Sequence, residues 1–409
     1  MKVLVYAHRL QIGGTQVNSI ELAAHMQDHF GYEIVFCAQP GPMEELVEAK
    51  GLKYTPAPDA TVHPSIGRMK TLREIAHDQS PDLIHAWDWW QGLDAYLALY
   101  LPSRVPLIIT DMMMEVTKVL PKRLTTTFGT PLVTQAARDS GWNDATLLLP
   151  PVDVEINSPT AVDSSLFREK YVDPDALTVV TVARLSASMK LDGLVRSIYS
   201  VEKLDGNVKL QLIIVGDGTE RRKLEELARQ TNERLQRDAV VLAGSIVDPR
   251  PAYAAADIVI GMGGSALRGM AFGKPVIVVG ERGFAKTFLP ENADAFLYTG
   301  MYGVGQGSTS DCKITAALSA LTEEDFDREA LGVFSRKFVV QNHSLDAVGS
   351  VLNDVYQSAW ARRLNRAGTA LDTARTTYLY FRERRFRWPS RDPLKTLKST
   401  EAPQSVGSP

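Results

Sequence analysis

The chain has 409 residues, 44% of them hydrophobic, and a formal net charge of −3. That is enough apolar material for two ordinary α/β cores, and the near-neutral balance excludes a global electrostatic pull toward nucleic acid. Two cysteines, Cys37 and Cys312, lie far apart without Cys-x-x-Cys spacing, which argues against a disulfide framework or structural zinc and suits a reducing compartment.

The N-terminal apolar run is too short for a signal peptide. No run reaches the roughly eighteen apolar residues of a membrane span, so a soluble, cytoplasmic protein is expected. Val3–Ala7 reads as the first strand, and Gly13-Gly14 follows it at the start of a helix over Val17–Gln27. Backbone N–H groups at such a start can hold a phosphate, although a plain tight turn explains the glycines equally well. The spacing is not Gly-x-Gly-x-x-Gly and no acidic residue follows the second strand suitably, which weighs against a dehydrogenase.

Further strands are expected at Ile34–Cys37, Leu83–His85, Leu107–Thr110 and Leu147–Leu149, with helical periodicity in Met43–Lys50, Arg68–Asp78 and Leu93–Leu101. Continuous apolar strands between helices predict a parallel sheet covered on both faces. The third strand closes on His85-Ala86-Trp87-Asp88-Trp89-Trp90. His85 and Asp88 there could orient a sugar hydroxyl or move a proton, with a cluster of core aromatics as the competing reading. Asp111 ends the next strand, before an apolar lip of methionines.

A proline-, aspartate- and serine-rich stretch, residues 150–165, reads as a linker. The alternation then restarts, with strands at Thr178–Ala183, Gln211–Val215, Val240–Leu242, Asp257–Ile260 and Val276–Val279, and helices at Leu191–Leu204, Glu220–Leu235, Ala266–Phe272 and Glu323–Lys337. Arg184 and Lys190 follow the first of these strands, and two cations on one strand–loop–helix connection can clamp a diphosphate. Gly216-Asp217-Gly218 is a second glycine turn at a strand end, and Gly261–Gly264 with Ser265 is a third. Ser265 is expected to open a short helix whose first turn carries Arg268, where the dipole alone would prefer an acid; an anion would relieve that conflict, and a solvated arginine is the alternative.

Two Rossmann-like domains with parallel sheets facing across a cleft are therefore expected, residues 1–155 and 165–340, with helices of 345–390 packing back on the first. Residues 377–388 mix arginine with aromatics; they could touch an anionic membrane surface peripherally or lie as a basic helix on the first domain. Residues 391–409 are expected to be disordered.

Together these residues resemble the family 4 retaining glycosyltransferases of GT-B fold, over roughly residues 1–360. Ala183-Arg184-Leu185 with Lys190 is similar to the family's Gly-Arg-Leu…Lys-Gly segment, Val215–Gly218 to its Gly-Asp-Gly turn, and Gly269–Val276 to its Ala-Met-Ala-Cys-Gly-Lys-Pro-Val. Val152-Asp153 matches the linker's Gly-Val-Asp, and His85–Trp89 resembles the His-Ala-His-Asp-Trp segment of glycogen and starch synthases. The resemblance implies retaining transfer of a sugar from a nucleoside-diphosphate sugar. The acceptor could be a glycan, lipid carrier, small molecule or nucleic acid.

The resemblance also implies site roles. Arg184 and Lys190 would neutralise the diphosphate; Gly13, Gly14, Gly216, Gly263, Gly264 and Ser265 would supply turns and backbone donors. Val247 lies where the family binds the base, and His85, Asp88 and Asp111 would line the acceptor side. No cofactor or metal is expected, since the paired cations take the metal's role and no acidic triad is placed for magnesium. In two positions the chain departs from the family: Ile260 and Arg268 stand where it carries two glutamates. Arg268 only donates hydrogen bonds, so it could contact a phosphate or a carboxylate but not accept from ribose hydroxyls. A catalytically silent relative that binds a nucleotide or a partner enzyme is the alternative; an epimerase or phosphorylase would need site residues that are not found.

Overall fold

The computed structural model describes residues 1–60, 62–307, 313–362 and 366–385. Cys312, residues 386–388 and the 391–409 tail lie outside the described residues. The chain divides into two compact units: Met1–Pro151 joined by the segment from His343 onward, and Val152–Asn342.

The first unit is built on strands β1 (Lys2–Tyr6), β2 (Glu33–Ala38), β3 (Lys53–Pro56), β4 (Leu83–Trp87), β5 (Leu107–Asp111), β6 (Thr125–Phe128) and β7 (Ala145–Leu147). They form one seven-stranded sheet in the order β3-β2-β1-β4-β5-β6-β7, parallel throughout. Alternate residues of each strand serve opposite faces. Leu4 and Tyr6 join one apolar cluster with Ile84 and Ile109, whereas Val3 and Val5 join another with Phe36 and Ile108. Both faces are covered, which is why these strands read as unbroken apolar runs.

The second face is covered by helix Gly14–Phe30 and by helix Leu345–Ala361, whose Val348, Leu352, Val355 and Tyr356 are buried in the same cluster. The chain thus returns to complete the core it left at Pro151. His343, at the return, bonds the Pro150 carbonyl at 2.8 Å.

The second unit carries β8 (Leu177–Val182), β9 (Leu210–Val215), β10 (Val240–Gly244), β11 (Ile258–Gly261), β12 (Val276–Val279) and β13 (Ala285–Thr287). Their order is β10-β9-β8-β11-β12-β13, with only the edge strand β13 antiparallel. Val180, Ile213 and Val259 face one apolar cluster, and Val179, Leu212 and Ile258 the other.

The 150–165 stretch, read as a linker, contains the division between the units at Pro151–Val152 and is held by hydrogen bonds: Asp153 accepts from the Glu155 and Ile156 N–H groups, and Arg336 donates to the Val154 and Asn157 carbonyls. Its last residue, Ser165, begins helix Ser165–Tyr171. The helix expected from Glu323 starts at Arg328 instead, because the Asp327 carboxylate caps the Ala330 N–H at 2.8 Å. Residues 377–385 continue helix Arg366–Leu379 along the first unit, with Leu379 and Tyr380 packed on its core and Tyr378 and Phe381 exposed. No helix among the described residues is long and apolar enough to cross a membrane.

Candidate functional site

In a doubly wound parallel sheet, ligands gather at the carboxyl ends of the strands where the strand order reverses. In the second unit that point lies between β8 and β11, and in the first between β1 and β4.

At the β8–β11 point a small cavity is lined by Thr181, Ala183, Lys190, Gly261, Met262 and Ser265. Burial, with the neighbouring Arg184 charge, pulls the Lys190 ammonium down to about 8. Desolvation disfavours the charged form of a lysine, and a nearby anion would restore it. Arg184 itself is exposed. Its loop is stitched to the next strand end by Ala183 N–H to Val215 O and Leu185 N–H to Asp217 O, at 3.0 and 2.9 Å.

The turn glycines make that stitching possible. Gly216 (φ 143°) and Gly218 (φ 159°) hold backbone conformations that L side chains rarely adopt, and a Cβ on either would collide with the carbonyl oxygen of Ala183 or Leu185. Their close approach is to the Arg184 loop, so they position the cation.

The glycine loop after β11 differs from expectation. The short helix spans Gly264–Ala271 and does not open at Ser265. The Ser265 hydroxyl donates to the Val182 carbonyl at 2.8 Å and accepts from the Tyr253 hydroxyl at 3.2 Å, tying the helix to β8. The N–H groups of Gly263 and Ser265 are likewise spent on the Met301 and Met262 carbonyls. Arg268 sits in the last turn, not the first, where the helix dipole favours a cation, so the conflict read from the sequence does not arise. Its guanidinium leans back to within 3.4 Å of the Gly264 carbonyl. Ile260 is fully buried and also lines the cavity. Val247 is 85% exposed.

In the first unit, His8 beyond β1 and Asp88 beyond β4 bridge the reversal point, His8 Nε2 to Asp88 Oδ2 at 3.0 Å. Asp88 is held at φ 77°, unusual for a residue with a Cβ, and its other oxygen accepts from the Trp89 N–H, capping helix Trp89–Ala95. Gly13 precedes helix Gly14–Phe30 in extended conformation; that helix has neither a side-chain cap nor an acid in its first turn.

Asp111 is fully buried. Burial, with Asp88 nearby, pushes its carboxyl up to about 7, against the Thr117 contacts and the Met113 N–H that favour the anion. A second buried acid, Asp94, is pushed up to about 6 by burial while accepting from Ser65 N–H at 2.7 Å and Tyr6 O–H at 3.2 Å. His63 lies 3.8 Å from it and is lowered to about 4 by burial and by Arg68 and His8. Sequence reasoning missed His8, His63 and Asp94; a histidine directly after the first strand was the available signal.

His85 is a correction. The strand continues past it to Trp87, and the side chain is 1% exposed, with Nε2 2.6 Å from Thr110 Oγ1 and Nδ1 2.8 Å from Tyr356 Oη. Burial lowers it to about 3. A neutral imidazole enclosed in this way has no path to an acceptor hydroxyl. Trp87 and Trp89 are buried with it rather than presented to a sugar.

Comparison with known proteins agrees with this architecture. Residues 12–112 match the family model described as Glycosyltransferase Family 4, and residues 176–300 the one described as Glycosyl transferases group 1. No curated protein matches the sequence. Among solved structures, a glycosyltransferase from Rickettsia africae is 14% identical, with 88% of this chain and 99% of that chain covered and a TM-score of 0.69. Anabaena Alr3699/HepE in complex with UDP-glucose is 16% identical, covering 88% and 100%, at 0.68. S. aureus MnaA bound to UDP is 13% identical, covering 89% and 99%, at 0.60. At such identities the likeness is one of fold. With two doubly wound units and a glycosyltransferase model matched in each, the chain has the fold of the GT-B glycosyltransferases.

Proposed function

We propose that the chain transfers a sugar from a nucleoside-diphosphate sugar with retention, the second unit holding the donor. The observation that carries this reading is the desolvated Lys190 beside Arg184 at the β8–β11 reversal point. A departing diphosphate needs its charge neutralised in a poorly solvated place, and prearranged cations do that without reorganising. UDP is the first candidate nucleotide, because both Alr3699/HepE and MnaA have structures with it. In the first unit, the partly exposed His8–Asp88 pair is suited to hydrogen-bond and orient an acceptor hydroxyl. The donor's own phosphate would take the proton in a retaining transfer, so the chemistry asks for little more.

A second reading, a protein that binds a nucleotide without turnover, is favoured by one observation: the buried Ile260 lines the cavity where the family's carboxylate would stand. The test is a thermal-shift screen against UDP, GDP, ADP, TDP and their common sugar conjugates. Ligands that bind only the folded state raise the midpoint by mass action. A shift with one diphosphate, lost in Arg184→Ala and Lys190→Ala, is expected. No shift with any of them refutes donor binding. A shift without sugar release or transfer selects the silent reading.

A further inference from the structure

One cluster on the first unit has no part in the chemistry above. His25 and His29 lie one turn apart on helix Gly14–Phe30, and Asp346 stands in the first turn of helix Leu345–Ala361. One ligating atom from each lies within 4.8 Å of the others, and His25 Nε2 is 3.6 Å from an Asp346 carboxylate oxygen. In a tetrahedral zinc site, metal–ligand bonds of about 2.0–2.2 Å separate neighbouring ligand atoms by roughly 3.4 Å. The cluster is thus within about 1.4 Å of metal-binding spacing before any ion draws it in.

The surroundings favour a cation. His25 is buried, and its ring rests where a Cβ on Gly349 would come within 2.5 Å of it, so the facing helix leaves that space open. His29 stacks on His25 with ring centroids 4.3 Å apart and planes at 24°. It occupies the last turn of its helix, the negative end of the dipole, which favours a cation, and Asp346 faces it from the first turn of the neighbouring helix. His29 and Asp346 are exposed, which leaves room for water as a fourth ligand. An ion pair alone would engage one imidazole; here a second is stacked beside it within reach of the same carboxylate.

We propose that His25, His29 and Asp346 form a divalent transition-metal site, with zinc the ion best suited to two imidazoles, one carboxylate and a water. The ion would clamp the returning helix onto the helix that follows β1, at the end away from the Gly13 turn.

The test is titration of the full chain, free of any histidine tag, with zinc sulfate alone by calorimetry, and with cobalt(II) by visible absorption. One saturable zinc site per chain is expected, undisturbed by a hundredfold excess of magnesium, with the visible bands of four-coordinate cobalt. Asp346→Asn and His29→Gln change exposed side chains, so their zinc-free circular dichroism and thermal midpoints should match the native chain while each weakens zinc at least tenfold. Absence of a saturable site overturns the proposal. So does a site whose affinity is unchanged in both variants, because the metal would then be held elsewhere.

Discussion

Replacing Asp111 by asparagine isolates the cost of a buried acid. In the folded chain burial pushes its carboxyl up to about 7, from an ordinary value of 3.8. A carboxyl with a raised folded value contributes stability that is fully present below the unfolded value and is lost as pH rises through the folded one. The gap of about three pH units corresponds to up to about 4 kcal/mol at 1.36 kcal/mol per unit. The loss accumulates from about pH 4 and levels off just above 7. Asparagine cannot ionise, so Asp111→Asn should gain on the native chain by up to that amount between pH 4.5 and 8.5.

The quantity to compare is the difference between the two proteins. His63, His85 and His343 are all lowered by burial and act in the opposite sense: the folded state loses stability as pH falls below about 6.5. That contribution cancels between variant and native chain. Urea unfolding followed by tryptophan emission suits the purpose, because every tryptophan among the described residues (Trp87, Trp89, Trp90, Trp142 and Trp360) belongs to the first unit. A stability difference that stays flat from pH 4.5 to 8.5 would refute the reasoning, since it would mean the folded state holds the anion as readily as water does.

Tyr356→Phe removes the hydroxyl that meets His85 Nδ1 and should cost the first unit about 1–3 kcal/mol by leaving a buried ring nitrogen unpaired, read in the same urea experiment. Gly216→Ala should destabilise the second unit by about 1–3 kcal/mol through a strained φ. It should also weaken UDP roughly tenfold by displacing the Arg184 loop, at 1.4 kcal/mol per decade; calorimetric titration checks it, and unchanged affinity would separate the turn from the cation. Gly269→Val should lower the thermal midpoint, because the helix rests so closely on β11 that even a Cβ would come 2.7 Å from Val259; overpacking of this kind costs about 1–3 kcal/mol. Arg268→Glu should tighten UDP several-fold by supplying an acceptor for ribose hydroxyls. A collapse of binding would instead show Arg268 holding the phosphates.

The sheets were legible where burial on both faces leaves an unbroken apolar run, as in Leu83–Ile84 or Ile258–Ile260. β6 was not, because Thr125, Thr126 and Thr127 are buried as hydrogen-bonded hydroxyls, to Asp144, Leu124 and Thr110. The edge strand β3, Lys-Tyr-Thr-Pro, is polar and partly exposed and carries no such signal. Arg184 and Lys190 stood out because two charges flank the loop between a buried strand and the next helix. Asp88 stood out beside His85, but its partner His8 did not, since 80 residues separate them and only the β1–β4 pairing unites them. His85 was misread for a related reason: composition marks the segment as aromatic and polar, but the strand's alternation decides which side chains enter the core.

The return of the chain at His343 has a consequence for synthesis. Made from the N-terminus, the first unit emerges with the apolar face of helix Gly14–Phe30 unpartnered, and it stays so until all of Val152–Asn342 and then Leu345–Ala361 have followed. The second unit is one uninterrupted stretch and can close its core while the first is still waiting. The nascent protein therefore completes its halves in reverse order of their beginnings, and the interval in between is when it most needs shelter from aggregation.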